Sequence, residues 1–118
     1  MVPMENKDIL IECFSLYRDE NFNFYGTDDL GNKMVGFYNR GKINPLEPDL
    51  RLYYIKNGRR EEKEFLSLWC KVGRTGRKYL IGNAEDGFCY IGLINFNRLD
   101  DSEPYLKICY KIKNNYES

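Results

Sequence analysis

Glu47-Pro48-Asp49-Leu50-Arg51-Leu52-Tyr53-Tyr54 returns as Glu103-Pro104-Tyr105-Leu106-Lys107-Ile108-Cys109-Tyr110, 56 positions further along the chain. Self-similarity at a long fixed offset marks a chain built by repetition and constrains the architecture before any other signal does. The echo extends upstream, where Val35-Gly36-Phe37-Tyr38-Asn39 lines up with Ile91-Gly92-Leu93-Ile94-Asn95 and Gly26 with Gly82. Farther back, Phe14-Ser15-Leu16-Tyr17 matches Leu66-Ser67-Leu68-Trp69 at an offset of 52, because the second copy has four extra residues around Val72 to Lys78. This reading places an internal repeat at 9–57 and 65–113, joined by a charged linker at 58–64, within one domain spanning 1–118.

The repeated stretch alternates with a period of two, the side-chain period of a strand. Leu50, Leu52 and Tyr54 fall on one face and Arg51 and Tyr53 on the other. The Leu50 face is predicted to point inward, as are its echoes Leu106, Ile108, Tyr110 and Ile112. The same pattern predicts earlier strands at 9–17, at 22–25 stopping at Gly26, and at 33–39. Pro45 and Pro48 bar a central strand and make 40–48 an extended loop. Asn57-Gly58 signals a tight turn, and Arg59 to Glu64 reads as a helical turn or a solvated linker. The second copy is expected to place strands at 65–72, 77–82, 88–96 and 105–112, with an enlarged turn at Gly73 to Gly76. The ends, 1–7 and 114–118, read as a loose leader and a polar tail.

Four antiparallel strands per copy, each with one apolar face, imply an all-β fold. Two tandem meanders would pack as a pseudo-twofold sandwich or barrel. Ten Tyr and seven Phe suit pleated surfaces. Each copy alone, at fifty-odd residues, would bury too little surface to be stable.

Composition narrows the function. Eighteen basic and eighteen acidic residues leave no net charge. Neither the basic excess of a duplex binder nor the acidic excess of a DNA mimic is present. The chain has no histidine, so a Ser-His arrangement at the matched Ser15 and Ser67 is impossible. The glycines form no dinucleotide fingerprint and no phosphate loop. The acid pairs Asp28-Asp29 and Asp100-Asp101 lack metal-ligand spacing nearby and read as solvated loop ends. Cys13, Cys70, Cys89 and Cys109 form no CxxC and none recurs as Cys in the other copy, which reads as reduced structural thiols in a cytoplasm rather than a zinc site. No apolar stretch approaches the roughly 20 residues of a membrane span. The expectation is a protein that is not an enzyme and needs no metal or cofactor.

Leu66-x-Leu68-Trp69, Gly76-x-Lys78-Tyr79-Leu80-x-Gly82, Ile91-x-Leu93 and Pro104-Tyr105-x-x-x-x-Tyr110 resemble a family of short, single-copy β proteins of unknown function from phages, prophages and plasmids. The first copy fits less closely: Tyr17 stands in for the Trp, and Tyr25-Gly26 for the Tyr-Leu-x-Gly segment. The resemblance implies an accessory protein of a mobile element, acting in the host cytoplasm, with no reaction to carry over.

Two surfaces are candidates for recognition. Lys71, Arg74, Arg77 and Lys78 interleave with Trp69 and Tyr79, a mix that stacks the bases of a single strand and holds its backbone. The same charges equally serve as a hairpin tip that keeps a sheet edge from pairing. Tyr17, Tyr25, Tyr53, Trp69 and Tyr105 fall on or near the face away from the core, where such rings either anchor a protein interface or pair across strands. The leading expectation is protein–protein contact with a host or phage protein, for instance as an inhibitor of a defence system or host nuclease, by a monomer or homodimer. Single-stranded nucleic-acid binding is the second reading, and a sponge that traps a small nucleotide between the two copies or between protomers is the third.

Overall fold

The computed structural model describes residues 8–21 and 23–113. The predicted leader, the tail and Phe22 lie outside the described residues. Nine strands follow in order: β1 Asp8–Arg18, β2 Phe24–Thr27, β3 Lys33–Tyr38, β4 Leu50–Lys56, β5 Arg59–Arg60, β6 Leu66–Val72, β7 Lys78–Asn83, β8 Cys89–Ile94 and β9 Leu106–Lys113. There is no helix among the described residues, and therefore none long and apolar enough to cross a membrane.

The sheet runs β3-β2-β1-β9-β8-β7-β6-β4-β5, and β3 also pairs with β4. Every pairing is antiparallel, so eight strands close into an up-and-down barrel and β5 is a short flap on the end of β4. Of the two packings left open by the sequence, the barrel is the one formed. The closing strand of each half pairs with the first strand of the other. Leu50 lies opposite Leu68 and Leu52 opposite Leu66, while Leu106 lies opposite Leu16 and Ile108 opposite Phe14. Closure pairs the strand edges that meet at these two seams.

The inward faces fill the middle of the barrel. Leu16, Leu50, Leu52, Leu68 and Ile108 are completely buried, with Met34, Leu66 and Leu106 nearly so, and among the described residues no buried one is polar or charged. Burial of each such side chain contributes about 1.5–3 kcal/mol. The inward alternation expected for β9 holds through Ile108 and the half-buried Tyr110 but fades at Ile112, which sits at the rim and is exposed.

Gly26 and Gly82 mark close approaches. A Cβ at Gly82 would lie 1.9 Å from the carbonyl oxygen of Ser67, and one at Gly26 would lie 2.5 Å from that of Ser15. The matched serines and the matched glycines are thus two halves of one contact, made once in each half of the barrel. Strand β2 continues through Gly26 to Thr27 rather than stopping there, because a glycine lets two backbones come together without breaking the ladder.

Between Asn57 and Gly58 both residues adopt left-handed backbone, with φ of 54° and 74°, as a two-residue hairpin turn requires. The turn folds Arg59 and Arg60 back onto Lys56 and Ile55. The charged run is therefore neither a helical turn nor wholly a linker, since its first two residues complete a hairpin. Arg60 then lies 4.3 Å from the ring centroid of Tyr53, with Phe37 beside that ring. Tyr53 does lie on the outer face, but at 8% exposure it is covered rather than offered to a partner.

Strand β1 contains a bulge. Its pairing with β9 slips between Glu12 and Phe14, leaving Cys13 as the extra residue. Ile9 and Ile11 before the bulge therefore share a face with Phe14 and Leu16 after it. This reconciles the unbroken apolar run at the start of β1 with the alternation at its end.

Candidate functional site

With apolar side chains buried in the middle of the barrel, the surfaces open to solvent are its two mouths, its outer face and any open seam. The first mouth is ringed by strand ends. Arg18 ends β1 and Tyr38 ends β3, Lys78 begins β7, Arg40 follows β3, and Tyr105 immediately precedes β9. With Cys70 and Ile94 they line a cavity of about 270 Å³ floored by Phe24, Leu80 and Leu106. No acidic side chain among the described residues lines it. The Arg18 guanidinium lies 4.8 Å from the Tyr105 ring centroid and that of Arg98 5.1 Å from it. Burial, and then the nearby Asp49 carboxylate, push the Tyr38 hydroxyl above the usual tyrosine range.

The opposite mouth has the reverse chemistry. A cavity of about 550 Å³ is walled by the rings of Phe14, Tyr54, Phe65, Tyr90 and Tyr110. Glu12, Asp28, Asp29, Glu85 and Asp86 also line it, and no basic side chain among the described residues does. Several of these acids hold the fold. Asp28 accepts from the N–H groups of Leu30 and Asn32 and from the Asn32 amide. Burial opposes ionisation there, but these hydrogen bonds keep its carboxyl below the usual range. Glu85 pairs with Lys63 and Glu12 with Lys107. Asp86 accepts from the Phe88 N–H and from the Tyr90 hydroxyl, each at 2.8 Å.

Burial, followed by the bond to Asp86, raises the Tyr90 pKa strongly, and burial raises the thiol pKa values of Cys13 and Cys109. A raised pKa means that the folded state holds its proton where the unfolded chain has released it, so stability falls as pH rises through that window. Denaturant midpoints should therefore be flat near neutrality and decline from about pH 9 upward, the range in which unfolded Cys and Tyr titrate. Replacing Tyr90 with Phe should flatten the decline above pH 10. A midpoint that held constant from pH 8 to 11 would contradict this account.

The third feature is a seam. In the second half, β6 and β7 pair from Trp69–Ile81 to Val72–Lys78, and a further bridge joins Leu66 to Ala84. In the first half, β1 and β2 pair only at Tyr17–Tyr25 and Arg18–Phe24. From Ser15 back to Asp8, β1 pairs only with β9 among the described residues. The groove beside it, whose lining includes Glu12, Lys107, Cys13, Phe14, Gly26 and Asp29, runs into the acidic mouth.

The residues singled out in sequence do not form one cluster. Of the residues in and beside the 73–76 turn, only Lys78 reaches the basic mouth. Trp69 and Lys71 face outward beside Ile81 and Gly82, and the Trp69 indole N–H donates to the Leu46 carbonyl at 3.0 Å. Tyr79 lies opposite Lys71, half-buried on the outer face. Arg74 is at the exposed tip of the turn, and Arg77 lies 5.6 Å from the Phe96 ring centroid. Tyr17 and Tyr25 stack on each other at 5.8 Å, as a cross-strand pair. Tyr105 is not an outer-face residue: it is half-buried, 5.5 Å from Phe24, and lines the basic mouth. Sequence reading passed over Arg18, Tyr38 and Arg40. The available signal was parity, since Phe14, Leu16 and Arg18 alternate, as do Lys78, Leu80 and Gly82, which puts both cations on inward faces.

Comparison with protein-family models, with curated proteins and with solved structures finds no match for the chain.

Proposed function

We propose that the chain is a non-enzymatic binding protein that acts by protein–protein contact, its β1 edge accepting an extended segment of the partner as an added strand. The observation that carries this reading is the one-sided pairing of β1. Ile9, Leu10 and Ile11 on that strand are 46%, 42% and 38% exposed. Folded β proteins ordinarily protect such an edge with Pro, Lys or a covering loop. An edge left unpaired and apolar suits strand addition, in which main-chain hydrogen bonds supply affinity and side-chain pockets supply selectivity.

Charge selects the partner. The groove along β1 carries Asp29 and the Glu12–Lys107 ion pair and opens on a mouth whose charged lining residues, among those described, are all acidic. A segment combining apolar residues with Lys or Arg matches it; an acidic segment would be repelled. An accessory role in a mobile element, occupying the surface of a host or phage protein, agrees with this mode of action.

The test places a photo-crosslinker at position 10 and substitutes Leu10→Lys in parallel. Leu10 faces outward, so the charge should leave the melting temperature within a few degrees of the parent while weakening the partner complex by about ten-fold or more. Crosslinks should map to an extended basic segment of one protein. Crosslinks scattered over many proteins, or undiminished binding by the Leu10→Lys variant, would refute the reading.

A further inference from the structure

We propose that the basic mouth, at the end of the barrel away from the acidic one, binds a planar ligand bearing a phosphate group: a nucleotide, free or at the end of a single strand. The site goes beyond the β1 edge and does not depend on it.

The argument begins with what closes the rest of the barrel. Core positions that match between the two halves stay apolar, as in Leu16 and Leu68, Leu50 and Leu106, or Leu52 and Ile108. At the mouth the same correspondence breaks down. Arg18 stands where the second half has Cys70, and Arg40 where it has Phe96. Cations thus stand where the other half has a thiol or an aromatic ring, and no acidic side chain among the described residues lines the opening, a lining that favours an anion. With a net charge of zero, the chain has no general attraction for phosphate, so the positive potential here is local.

The cations and rings are arranged for two different parts of one ligand. Arg18 is held against the Tyr105 ring at 4.8 Å, which orders its guanidinium before any ligand arrives. The Lys78 side chain, unlike its ladder-paired backbone, has no ion pair or hydrogen bond among the described residues. Tyr38 offers a π face, while the Tyr105 ring is occupied by Arg18 and Arg98, and Phe24, Leu80 and Leu106 make an apolar floor. A cavity of about 270 Å³ is small for a whole dinucleotide and suits one base, with its phosphate at the charged rim. Stacking on aromatic rings tolerates any base, while guanidinium and ammonium groups select the phosphate.

Isothermal titration of the full chain with AMP, adenosine, inorganic phosphate and a 5′-phosphorylated oligothymidylate tests this. AMP should bind at one site about ten-fold or more tightly than adenosine or phosphate alone, and Arg18→Gln and Lys78→Gln should each weaken it by about ten-fold. Lys78 is exposed, so its variant tests the site without endangering the fold. Arg74→Ala, at the turn tip, should leave binding unchanged. Tighter binding of the oligonucleotide than of AMP would identify a strand end as the ligand, and the reverse would identify a free nucleotide; either supports the site. AMP binding no better than adenosine, or Lys78→Gln binding like the parent, would overturn it. Neither result bears on the β1 edge, which is read by crosslinking.

Discussion

Gly82→Ala should be among the most damaging single substitutions in the chain, although it adds only one methyl group. The new Cβ would fall 1.9 Å from the Ser67 carbonyl oxygen and 3.0 Å from the carbonyl carbon. Both are backbone atoms of β6, tied into the sheet on either side, so no rotamer change relieves the contact. Overpacking against side chains costs about 1–3 kcal/mol; against a fixed backbone the cost should reach about 3 kcal/mol or more. In a domain of this size that lowers the melting temperature by roughly 12 °C or more. Gly26→Ala, with 2.5 Å to the Ser15 carbonyl oxygen, should be damaging to a lesser degree. Gly41→Ala is the control, because nothing lies within 4 Å of its Cβ position and its φ is not left-handed. Thermal melts of the three variants would decide the matter. A Gly82→Ala protein melting within two or three degrees of the parent would show that the two strands are not held together there.

The second large effect concerns the chain cut at residue 60. The fragments 1–60 and 61–118 should each be unfolded alone and should regain a cooperative melt only when mixed. The reason is the closure pattern. Strand β4 pairs with β6, and β1 with β9, so the cut halves share both seams of the barrel. Separation leaves each fragment with two unpaired edges and uncovers the apolar side of every strand. Leu50 and Leu52 lose Leu68 and Leu66, and Leu106 and Ile108 lose Leu16 and Phe14. Exposing eight such side chains at about 1.5–3 kcal/mol each matches or exceeds the net of about 5–15 kcal/mol that stabilises a whole domain. Circular dichroism of each fragment, with sedimentation to exclude dimers, tests this. A monomeric fragment with its own cooperative transition would disprove it.

Surface ion pairs contribute little to that stability, yet they follow the same logic of equivalence. Arg51 with Glu64 and Lys107 with Glu12 connect positions that correspond between the halves, at 3.7 Å and 3.0 Å. All four side chains are at least a third exposed, so screening leaves each pair about 0–1 kcal/mol. Their value is in what they mark. Correspondence between the halves reaches the outer face of the seams as well as the core.

Legibility from sequence followed the physics of each feature. Strand positions were readable because alternation is local: a residue and its second neighbour share a face whatever the rest of the chain does. The close approach of Ser15 to Gly26 and of Ser67 to Gly82 was present as two separate matches, but its cause lies across strands and could not be read along one. Lys78 was picked out for being basic among aromatics. Its true companions, Arg18 and Arg40, lie tens of residues away and meet it only because strand ends gather around one opening. Tyr53 was expected to be open, and only the Asn57-Gly58 hairpin that carries Arg60 over it explains why it is not.

By itself, the order of residues determined an all-β chain, two related sets of strands, the inward faces and the absence of a Ser-His site, because each depends on neighbours within a few positions or on composition. The tertiary structure alone decided that the sheet closes as a barrel, that one mouth is basic and the other acidic, and that among the described residues β1 has one edge largely unpaired. Those depend on which distant strand ends are brought together, and hydrogen-bond closure across two seams is a property that no short stretch contains.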